Sequence, residues 1–279
     1  MKSLRILPYK PGSKSARAIA KALNGLRVRF NGLFRPKLKH LVVNWGKVAK
    51  PRWWITGLND PAKVQLSSNK LTALSCLRQA GVSTPEFTDD IQTARQWWLS
   101  GSVVVGRQIL NGHGGIGCII FHKDRDDVDG GFDGEPRDCP LYTKHLRHKR
   151  EFRIHVFKGQ IIDQVEKLKK KGFENRNSWI RNYNNGYVFV RGGVVIPKCV
   201  RMEALQAVQA LQLDFGAVDV AYREKEDKAY VLECNTAPGI EGQTIRSYIE
   251  AIRQELQRKV KSNHGNHFIH LLSIQRRKK

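Results

Sequence analysis

Cysteines are few in this sequence, and they are scattered. The 279 residues include five cysteines, none of which belongs to a CxxC motif. An odd number at irregular spacing argues against a disulfide framework and against a cysteine zinc site. We therefore expect reduced thiols, as in a cytoplasmic protein.

Long apolar runs are also missing. No segment approaches the roughly 18 consecutive apolar residues that a membrane-spanning helix needs. The opening stretch MKSLRILPYKPGS lacks the apolar core of a signal peptide. These two absences predict a cytoplasmic chain without a membrane partner.

Acidic residues are scarce relative to basic ones. Asp and Glu number 25 against 49 Lys and Arg, which gives a net charge of +24 and a pI near 10.1. A positive field of this size favours polyanions or acidic substrates, although a solubilising surface explains it equally well. Nucleic acid is therefore one candidate partner.

Two common nucleotide-binding signatures are absent. The sequence contains no GxxxxGK[ST], which excludes a P-loop. The tripeptide Asp214-Phe215-Gly216 matches the DFG of protein kinases, but the HRD catalytic loop is missing and only about 60 residues follow. We interpret this tripeptide as a connection from a helix to a strand.

The patterns that are present predict an α/β (α+β) fold in several parts. The run SLRILPY, the helical stretch after it and HLVVNWG predict a small N-terminal α/β domain over 1–66. Helices and strands with a glycine-rich flap follow over 67–143, and extended segments with an amphipathic helix occupy 144–262. A last helix is expected over about 244–260, before a basic tail at 263–279.

A glycine-rich loop follows the predicted strand SVVVGRQIL. Gly112, Gly114 and Gly117 form a GxGxxG, with Gly115 between them. The next run, CIIF, is prone to form a strand and not a helix, so a flap between two strands fits better than a dinucleotide-binding turn. The backbone N–H groups of such a flap can bind phosphates. An ordinary hairpin turn is the alternative.

Two acids and an amide lie in a predicted pair of strands near the end of the chain. Asp219 lies within GAVDVAY, and Glu233 and Asn235 lie in KAYVLECN, with Pro238-Gly239 directly after. Residues i and i+2 of a strand face the same side, so a hairpin can bring all three side chains together. Mg²⁺ prefers oxygen ligands and is often shared between carboxylates and substrate phosphates. The pattern predicts a magnesium site for ATP, whereas a buried acid paired with Arg is the alternative for Asp219 alone.

These motifs, with YTKHLRHKREFRIHVF, make the sequence resemble the ATP-grasp enzymes, in particular the RimK-like amino-acid ligases, over about 67–245. It is similar in style to ATP-grasp proteins of tailed bacteriophages as well. The resemblance implies an ATP-grasp fold in which a lid subdomain, 67–143, and a C-terminal subdomain, 144–262, clasp the nucleotide.

The resemblance also implies the contacts of the nucleotide. Lys70 and Arg107 would reach the phosphates, although Arg107 stands where a lysine is usual. The hinge Lys144-His145-Leu146 would read adenine through its backbone, and Glu151 would bind the ribose. The alternatives are that Lys70 lies on a helix surface and that Glu151 forms a solvated pair with Arg150.

The catalytic groups that the resemblance implies are Arg153, Arg181 and Asn182, which would contact the γ-phosphate and the reaction intermediate. An ion pair with a strand neighbour is the alternative for Arg153. The three predicted metal ligands would hold one or two Mg²⁺ ions, with Mn²⁺ as a substitute.

The activity implied by the resemblance is an ATP-dependent, ADP-forming ligation. A carboxylate substrate would attack the γ-phosphate to give an acyl-phosphate. An amine or a thiol would then react with this intermediate, for example the amine of an amino acid that is added to a carboxylate acceptor. Two other functions stay open: an ATP-grasp phosphotransferase with a different acceptor, and a nucleic-acid-binding protein with a degenerate ATP site.

Overall fold

The computed structural model describes residues 3–112, 115–123, 132–173, 181 and 183–276. The chain divides into two compact units. Unit 1 consists of Met1–Gln65, Leu213–Phe215 and Thr236–Lys279, and unit 2 consists of Leu66–Gln212 and Gly216–Asn235. In the described part of the chain, no helix combines the length and the apolarity needed to cross a membrane.

Unit 1 contains a small parallel sheet with the strand order β2-β1-β3. Its elements are β1 Leu4–Pro8, α1 Lys14–Ala22, β2 Leu26–Arg27 and β3 Leu41–Trp45. The predicted strand–helix–strand order is confirmed. All five residues of β3 are buried, as expected for a parallel strand with apolar side chains on both faces. Trp45 stacks on Phe215 with ring centroids 5.3 Å apart, and Tyr248 meets Trp45 edge-on at 5.2 Å.

The last helix of unit 1, α6, runs over Gly242–Arg276. It is longer than the predicted 244–260, so that prediction was wrong about the helix end. The reason lies in composition, because 260–276 contain no proline and a single glycine. Helix α1 packs against α6.

Unit 2 contains two antiparallel-rich sheets, and the first has the strand order β4-β8-β5-β6-β7. Its strands are β4 Phe87–Thr88, β5 Val104–Arg107, β6 Cys118–Phe121, β7 Phe132–Asp133 and β8 Leu141–Lys144. Helix α2 (Pro61–Ser68) leads into unit 2, where α3 (Lys70–Gln79) and α4 (Ile91–Leu99) follow. Strands β5 and β6 pair antiparallel, with Arg107 opposite Cys118. The glycine-rich loop therefore joins two paired strands, as predicted.

The second sheet of unit 2 has the strand order β11-β10-β9-β12-β13. Its strands are β9 Arg150–Phe157, β10 Gln160–Lys169, β11 Tyr187–Val190, β12 Phe215–Arg223 and β13 Lys228–Asn235. The amphipathic helix α5, Lys198–Ala210, packs against this sheet through Val200, Ala204, Ala207 and Val208. Strand β12 is buried at eight of its nine positions, so a carboxylate within it needs a charged partner.

Candidate nucleotide and metal site

The predicted strand pair that carries Asp219, Glu233 and Asn235 forms in unit 2, and we call it the acidic ribbon. Strands β12 and β13 pair antiparallel, and Asp219 lies directly opposite Glu233. Cross-strand neighbours share a face of the sheet, and Asn235 lies two residues beyond Glu233 on the same strand. The Asn235 amide donates a hydrogen bond of 3.0 Å from Nδ2 to Glu233 Oε1. The ribbon therefore gathers two carboxylates and an amide.

Arg153 on the neighbouring strand β9 occupies both oxygens of Asp219. Its Nε donates to Oδ1 at 2.6 Å and its Nη2 donates to Oδ2 at 2.7 Å. The Asp219 side chain is only 5% exposed, so the pair is buried. Burial alone would lower the pKa of Arg153, but Asp219, Glu233 and Glu151 outweigh it and raise that pKa. Arg153 is therefore a permanent cation beside the ribbon.

Lys70 reaches the other carboxylate of the ribbon. Its Nζ donates to Glu233 Oε2 at 2.9 Å, from the first residue of helix α3. Burial would raise the pKa of Glu233, but the charge and hydrogen bond of Lys70 and the hydrogen bond of Asn235 hold it well below its usual range. The backbone N–H of Lys70 donates to Leu110 O at 3.1 Å, at the start of the glycine-rich loop. Lys70 thus lies partly buried against the ribbon, with its side chain 14% exposed, and the helix-surface alternative is wrong.

Glu151 is a buried acid, and its partners differ from those considered in the sequence. The Lys167 ammonium donates to Oε1, and His148 Nε2 lies 3.3 Å from Oε2. Burial would raise the pKa of Glu151, but His148 and Lys167 together lower it. Arg150 instead donates to both oxygens of Glu166, at 2.7 and 2.8 Å, so the expected alternative of a solvated Arg150–Glu151 pair is wrong.

Lys167 is a site residue that sequence reasoning missed. It lies on strand β10 and is 9% exposed, with its Nζ 3.8 Å from Asp219 Oδ2. Burial would lower the pKa of Lys167, but Asp219 and Glu151 raise it above its usual value. The sequence offered one signal for Lys167. It lies in the strand-like run QIIDQVEKLK, two residues after Val165 and therefore on the same face as this apolar side chain, where a lysine needs an acidic partner.

The hinge Lys144-His145-Leu146 follows strand β8. The backbone N–H of Lys144 donates to Glu86 O at 2.9 Å and that of His145 donates to Val103 O at 2.8 Å. The carbonyl of Leu146 lies 2.8 Å from His148 Nδ1. Burial, followed by the charges of nearby basic side chains, lowers the pKa of His145 to about 4. Recognition of adenine at this hinge stays a prediction.

The glycine-rich loop has the backbone that its sequence requires. Gly115 and Gly117 have φ of +85° and +73°, a region that favours glycine. The carbonyl of Gly117 accepts from Gln108 N at 2.8 Å, which closes the loop above the strand pair. Gly112 begins this loop. Gly114 lies outside the described residues.

Two of the remaining predicted site residues, Arg107 and Arg181, have hydrogen-bond partners within unit 2. Arg107 Nη1 lies 3.1 Å from Cys118 Sγ across the β5–β6 pair. Arg181 donates to His148 O at 2.6 Å and to Lys149 O at 3.1 Å. Asn182 lies outside the described residues. In this structure Arg181 therefore fixes the backbone that carries His148, and a contact with phosphate stays a prediction.

The donor set of the ribbon fits a magnesium ion that is shared with phosphates. Two carboxylates and an amide oxygen on one face are hard ligands. Among the described residues no group of three or more His, Cys, Asp and Glu side chains can hold a metal by itself. Mg²⁺ commonly takes only one or two carboxylates and completes its shell with phosphate and water. The alternative, a buried acid paired with Arg, describes the Asp219 contacts seen here, so a metal has to displace Arg153 from at least one oxygen.

The comparisons with known proteins bear on the fold. No family model and no curated protein matches this sequence. Among solved structures, the ATP-grasp ligase PsnB complexed with a phosphomimetic variant of its minimal precursor, Mg and ADP matches at TM-score 0.63, with 12% identity over 92% of this chain and 98% of that chain. D-alanine–D-alanine ligase from Bacillus anthracis complexed with ATP matches at 0.64, with 14% identity over 95% of this chain and 99% of that chain.

A third solved structure also contains a bound peptide. The RiPP-associated ATP-grasp ligase of Chryseobacterium gregarium, in complex with ADP and a leader and core peptide, matches at TM-score 0.58, with 14% identity over 90% of this chain and 96% of that chain. All three likenesses span nearly the whole of both chains. The chain therefore has the ATP-grasp fold, which confirms the predicted fold class.

Proposed function

We propose that this protein is an ATP-dependent ligase that joins a carboxylate to an amine through an acyl-phosphate and releases ADP. The observation that supports it most is the Asp219–Glu233 pair of the ribbon with Lys70 and Arg153 directly on its two acids. Three of the structural neighbours contain ADP or ATP. The PsnB structure also contains Mg and a precursor variant, and the Chryseobacterium gregarium ligase contains a leader and core peptide. The proposal extends that chemistry to the present chain.

Asp219, Glu233 and Asn235 would hold the magnesium ion. When it is bound, the ion neutralises phosphate charge and polarises the γ-phosphoryl group. Mg²⁺ is the expected ion because all three ligands offer oxygen, and Mn²⁺ can replace it at such a site. Whether one or two ions bind depends on how many phosphate oxygens the nucleotide contributes.

The cations of the site would balance negative charge during the reaction. An anionic carboxylate has to approach an anionic triphosphate, and preorganised positive groups lower the barrier to that approach. Arg153, Lys70 and Lys167 are held beside the ribbon by the acids that they contact, so their charges already lie at the site before substrate binds. Arg153 offers a planar pair of N–H donors that suits phosphate as well as carboxylate.

The proposed chemical steps are those that the resemblance to ATP-grasp ligases implies. A carboxylate oxygen would attack the γ-phosphorus, and the bond from that phosphorus to the bridging oxygen would break to release ADP. The amine would then attack the acyl carbon, the bond from that carbon to the phosphate oxygen would break to release phosphate, and the amine would lose a proton to the departing phosphate or to solvent. The glycine-rich flap between β5 and β6 would cover the phosphates, because an acyl-phosphate exposed to water hydrolyses.

We also propose which residues contact the nucleotide and which type of ATP-grasp ligase this chain is. Glu151, on the same network as Lys167, would bind the ribose, and Arg107 would approach the phosphates from the strand that precedes the flap. The hinge at 144–146 would bind adenine. We place the chain with the RimK-like ligases on the motifs of its C-terminal half, and we expect it to act in the cytoplasm.

The test is the Glu233→Gln variant. Glutamine keeps the shape but not the charge, so the pairing with Lys70 and the metal affinity are both weakened. We expect ATP consumption, measured as ADP release in the presence of a pool of carboxylates and amines, to fall by at least about a hundredfold. Glu224→Gln is the matched control, because Glu224 is an exposed acid in the turn between the same two strands.

The outcome separates the candidate functions. Added hydroxylamine captures an acyl-phosphate as a hydroxamate, whereas a phosphotransferase yields a phosphorylated product and no hydroxamate. Unchanged ADP release in Glu233→Gln would contradict the assignment of the ribbon. Absence of any nucleotide turnover in the wild type, together with salt-dependent binding of DNA, would favour the nucleic-acid-binding alternative.

A further inference from the structure

The positive charge of the protein is concentrated in one of its two units. Unit 1 contains 24 Lys and Arg and five Asp and Glu, a net charge of +19. Unit 2 is larger and contains 25 Lys and Arg and 20 Asp and Glu, a net charge of +5. A field used only to bind nucleotide phosphates would be expected in unit 2, where the acidic ribbon lies. The excess in unit 1 calls for a separate explanation.

The excess lies mainly in the first part of the chain. Residues 1–59 contain 14 Lys and Arg and no Asp or Glu. Within them, two irregular segments, 28–40 and 46–57, follow strands β2 and β3 and carry a series of exposed cations. We call these two segments the basic loop pair. Their exposed cations are Arg29, Arg35, Lys37, Lys50 and Arg52.

Aliphatic side chains are exposed among these cations. Leu33 is 92% exposed, Leu38 is 87% exposed and Ile55 is 75% exposed. Single exposed apolar residues are common on protein surfaces. Three highly exposed aliphatic side chains within one strongly basic loop pair give it both apolar and cationic groups that face solvent.

The loop pair is held to the body of unit 1, so this surface is preformed. Phe34 packs into the cluster that contains Trp53, with the two rings edge-on and their centroids 5.0 Å apart. Trp53 Nε1 donates to Phe30 O at 3.1 Å, which ties one segment to the other. Because Phe34 points inward, its neighbours Leu33 and Arg35 are left exposed.

We propose that the basic loop pair is a docking surface for an acidic peptide segment that carries apolar side chains. Carboxylates of the segment would pair with the exposed Arg and Lys, and its apolar side chains would cover Leu33, Leu38 and Ile55. The partner follows from charge complementarity together with the type of apolar group that is exposed.

The same observations disfavour a nucleic acid. Proteins bind phosphate backbones through cations and bind bases by stacking on aromatic rings. Of the four Phe and Trp residues of the loop pair, Trp53 and Trp54 are buried at 6% and 5% exposure and Phe30 and Phe34 are half-buried, whereas the exposed apolar groups are aliphatic. Interfacial membrane binding commonly uses an amphipathic helix, whereas both segments here are irregular.

The test is binding of labelled probes measured by fluorescence anisotropy. One probe is a short peptide of Glu, Leu and Ser, and a second has the same charge with Ser in place of every Leu. Single-stranded DNA of matched charge and vesicles that contain phosphatidylserine are the other probes. We expect the leucine-containing peptide to bind about tenfold more tightly than the second peptide and more tightly than DNA or vesicles at physiological salt.

Variants assign the binding to the loop pair. Leu33→Ser with Leu38→Ser should reduce the affinity for the leucine-containing peptide to that of the other peptide, and should leave the latter unchanged. Arg35→Glu with Lys37→Glu should weaken both by more than about tenfold. Lys198→Glu with Lys225→Glu makes the same change in net charge on exposed positions of unit 2 and should have an effect below about threefold.

Three results would overturn the proposal: equal binding of the two peptides, tighter binding of DNA or vesicles, or an equal loss of affinity in the unit 2 control. All variants change exposed side chains, and their unfolding curves show whether the fold is retained. ADP release by the same variants is expected to be unchanged without a partner, so failure of this proposal is distinguishable from failure of the proposed ligase activity.

Discussion

Arg153→Gln removes the guanidinium that donates to both oxygens of Asp219, and its effects test the candidate metal site directly. Asp219 is buried in strand β12, so its charge depends on nearby cations. Removal of one partner from a buried ion pair usually costs roughly 3–5 kcal/mol, because the remaining charge is left uncompensated.

The local environment reduces that cost. Lys167 Nζ lies 3.8 Å from Asp219 Oδ2 and supplies part of the missing positive charge. We therefore expect Arg153→Gln to lower the free energy of unfolding by about 2–3 kcal/mol. Urea unfolding in the presence of a chelator measures this difference.

The response to Mg²⁺ is the more discriminating measurement. A ligand that binds only the folded state stabilises it by about 2.7 kcal/mol at a hundred times its dissociation constant. In the wild type, Mg²⁺ has to compete with Arg153 for Asp219. In Arg153→Gln this competition is absent, so millimolar MgCl₂ without nucleotide should stabilise the variant by at least about 1 kcal/mol more than the wild type.

Arg191→Gln is the matched control. Arg191 also forms a two-point pair, with Asp163, at 3.2 and 2.7 Å, but its side chain is 38% exposed. The Asp163 side chain is only 8% exposed, but the Arg191 side chain is partly solvated, so we expect a smaller loss than for Arg153→Gln, about 1–2 kcal/mol, and no change in the response to Mg²⁺. If Mg²⁺ stabilises Arg153→Gln and the wild type equally, then Asp219 is not a ligand, and the assignment of the ribbon as a metal site is wrong.

Three further predictions address other parts of the molecule. Asp219→Asn should weaken the Mg²⁺ dependence of ADP binding more than the metal-free affinity, because an amide oxygen is a poorer ligand than a carboxylate; calorimetry with ADP, with and without Mg²⁺, decides, and equal losses under both conditions would refute it. His155 is 2% exposed, and burial together with Arg153 and Arg191, opposed by Asp163, lowers its pKa to about 3. Below the ordinary histidine pKa near 6.5 the unfolded chain binds a proton that the folded chain does not, so the free energy of unfolding decreases as the pH is lowered. His155→Gln should reduce this decrease between about pH 7 and about pH 5 by about 2 kcal/mol. Identical pH profiles of stability in the variant and the wild type would contradict this. A Cβ on Gly106 would lie 2.6 Å from Phe121 Cε2 and 2.9 Å from Cys139 Sγ, so Gly106→Ala should destabilise the flap sheet by about 1–3 kcal/mol in chemical unfolding. Gly192→Ala, which places its Cβ within 4 Å of no described atom, should be nearly neutral, and similar losses in both variants would refute the packing argument.

The candidate ribbon could be predicted because its three residues lie close together along the chain, in two consecutive strands. The period of two in a strand places Glu233 and Asn235 on one face, and a short charged turn pairs that strand with the one that carries Asp219. The direct opposition of Asp219 and Glu233 is consistent with this reasoning. The same local logic predicted the strand pair around the glycine-rich loop, because CIIF favours a strand.

The cationic partners were harder to assign. Lys70 lies in helix α3, Arg153 in strand β9 and Lys167 in strand β10, all distant from the ribbon along the chain. The strand order β10-β9-β12-β13 brings Arg153 and Lys167 to the ribbon. Arg153 was selected through a family resemblance and Lys167 was overlooked. A sequence does not show which of its 49 Lys and Arg will be buried beside an acid.

The amino-acid sequence by itself determined the strands and helices, the acidic pattern of the ribbon and the absence of acids from the first 59 residues. Periodicity, turn residues and composition act over short distances, so they can be read without a structure. The tertiary structure decided that Arg153 occupies both oxygens of Asp219, that Glu151 pairs with Lys167, and that Leu33 and Leu38 stay exposed. Pairings and exposure of this kind arise when distant segments pack together, because the burial of each charge depends on neighbours that chain order does not reveal.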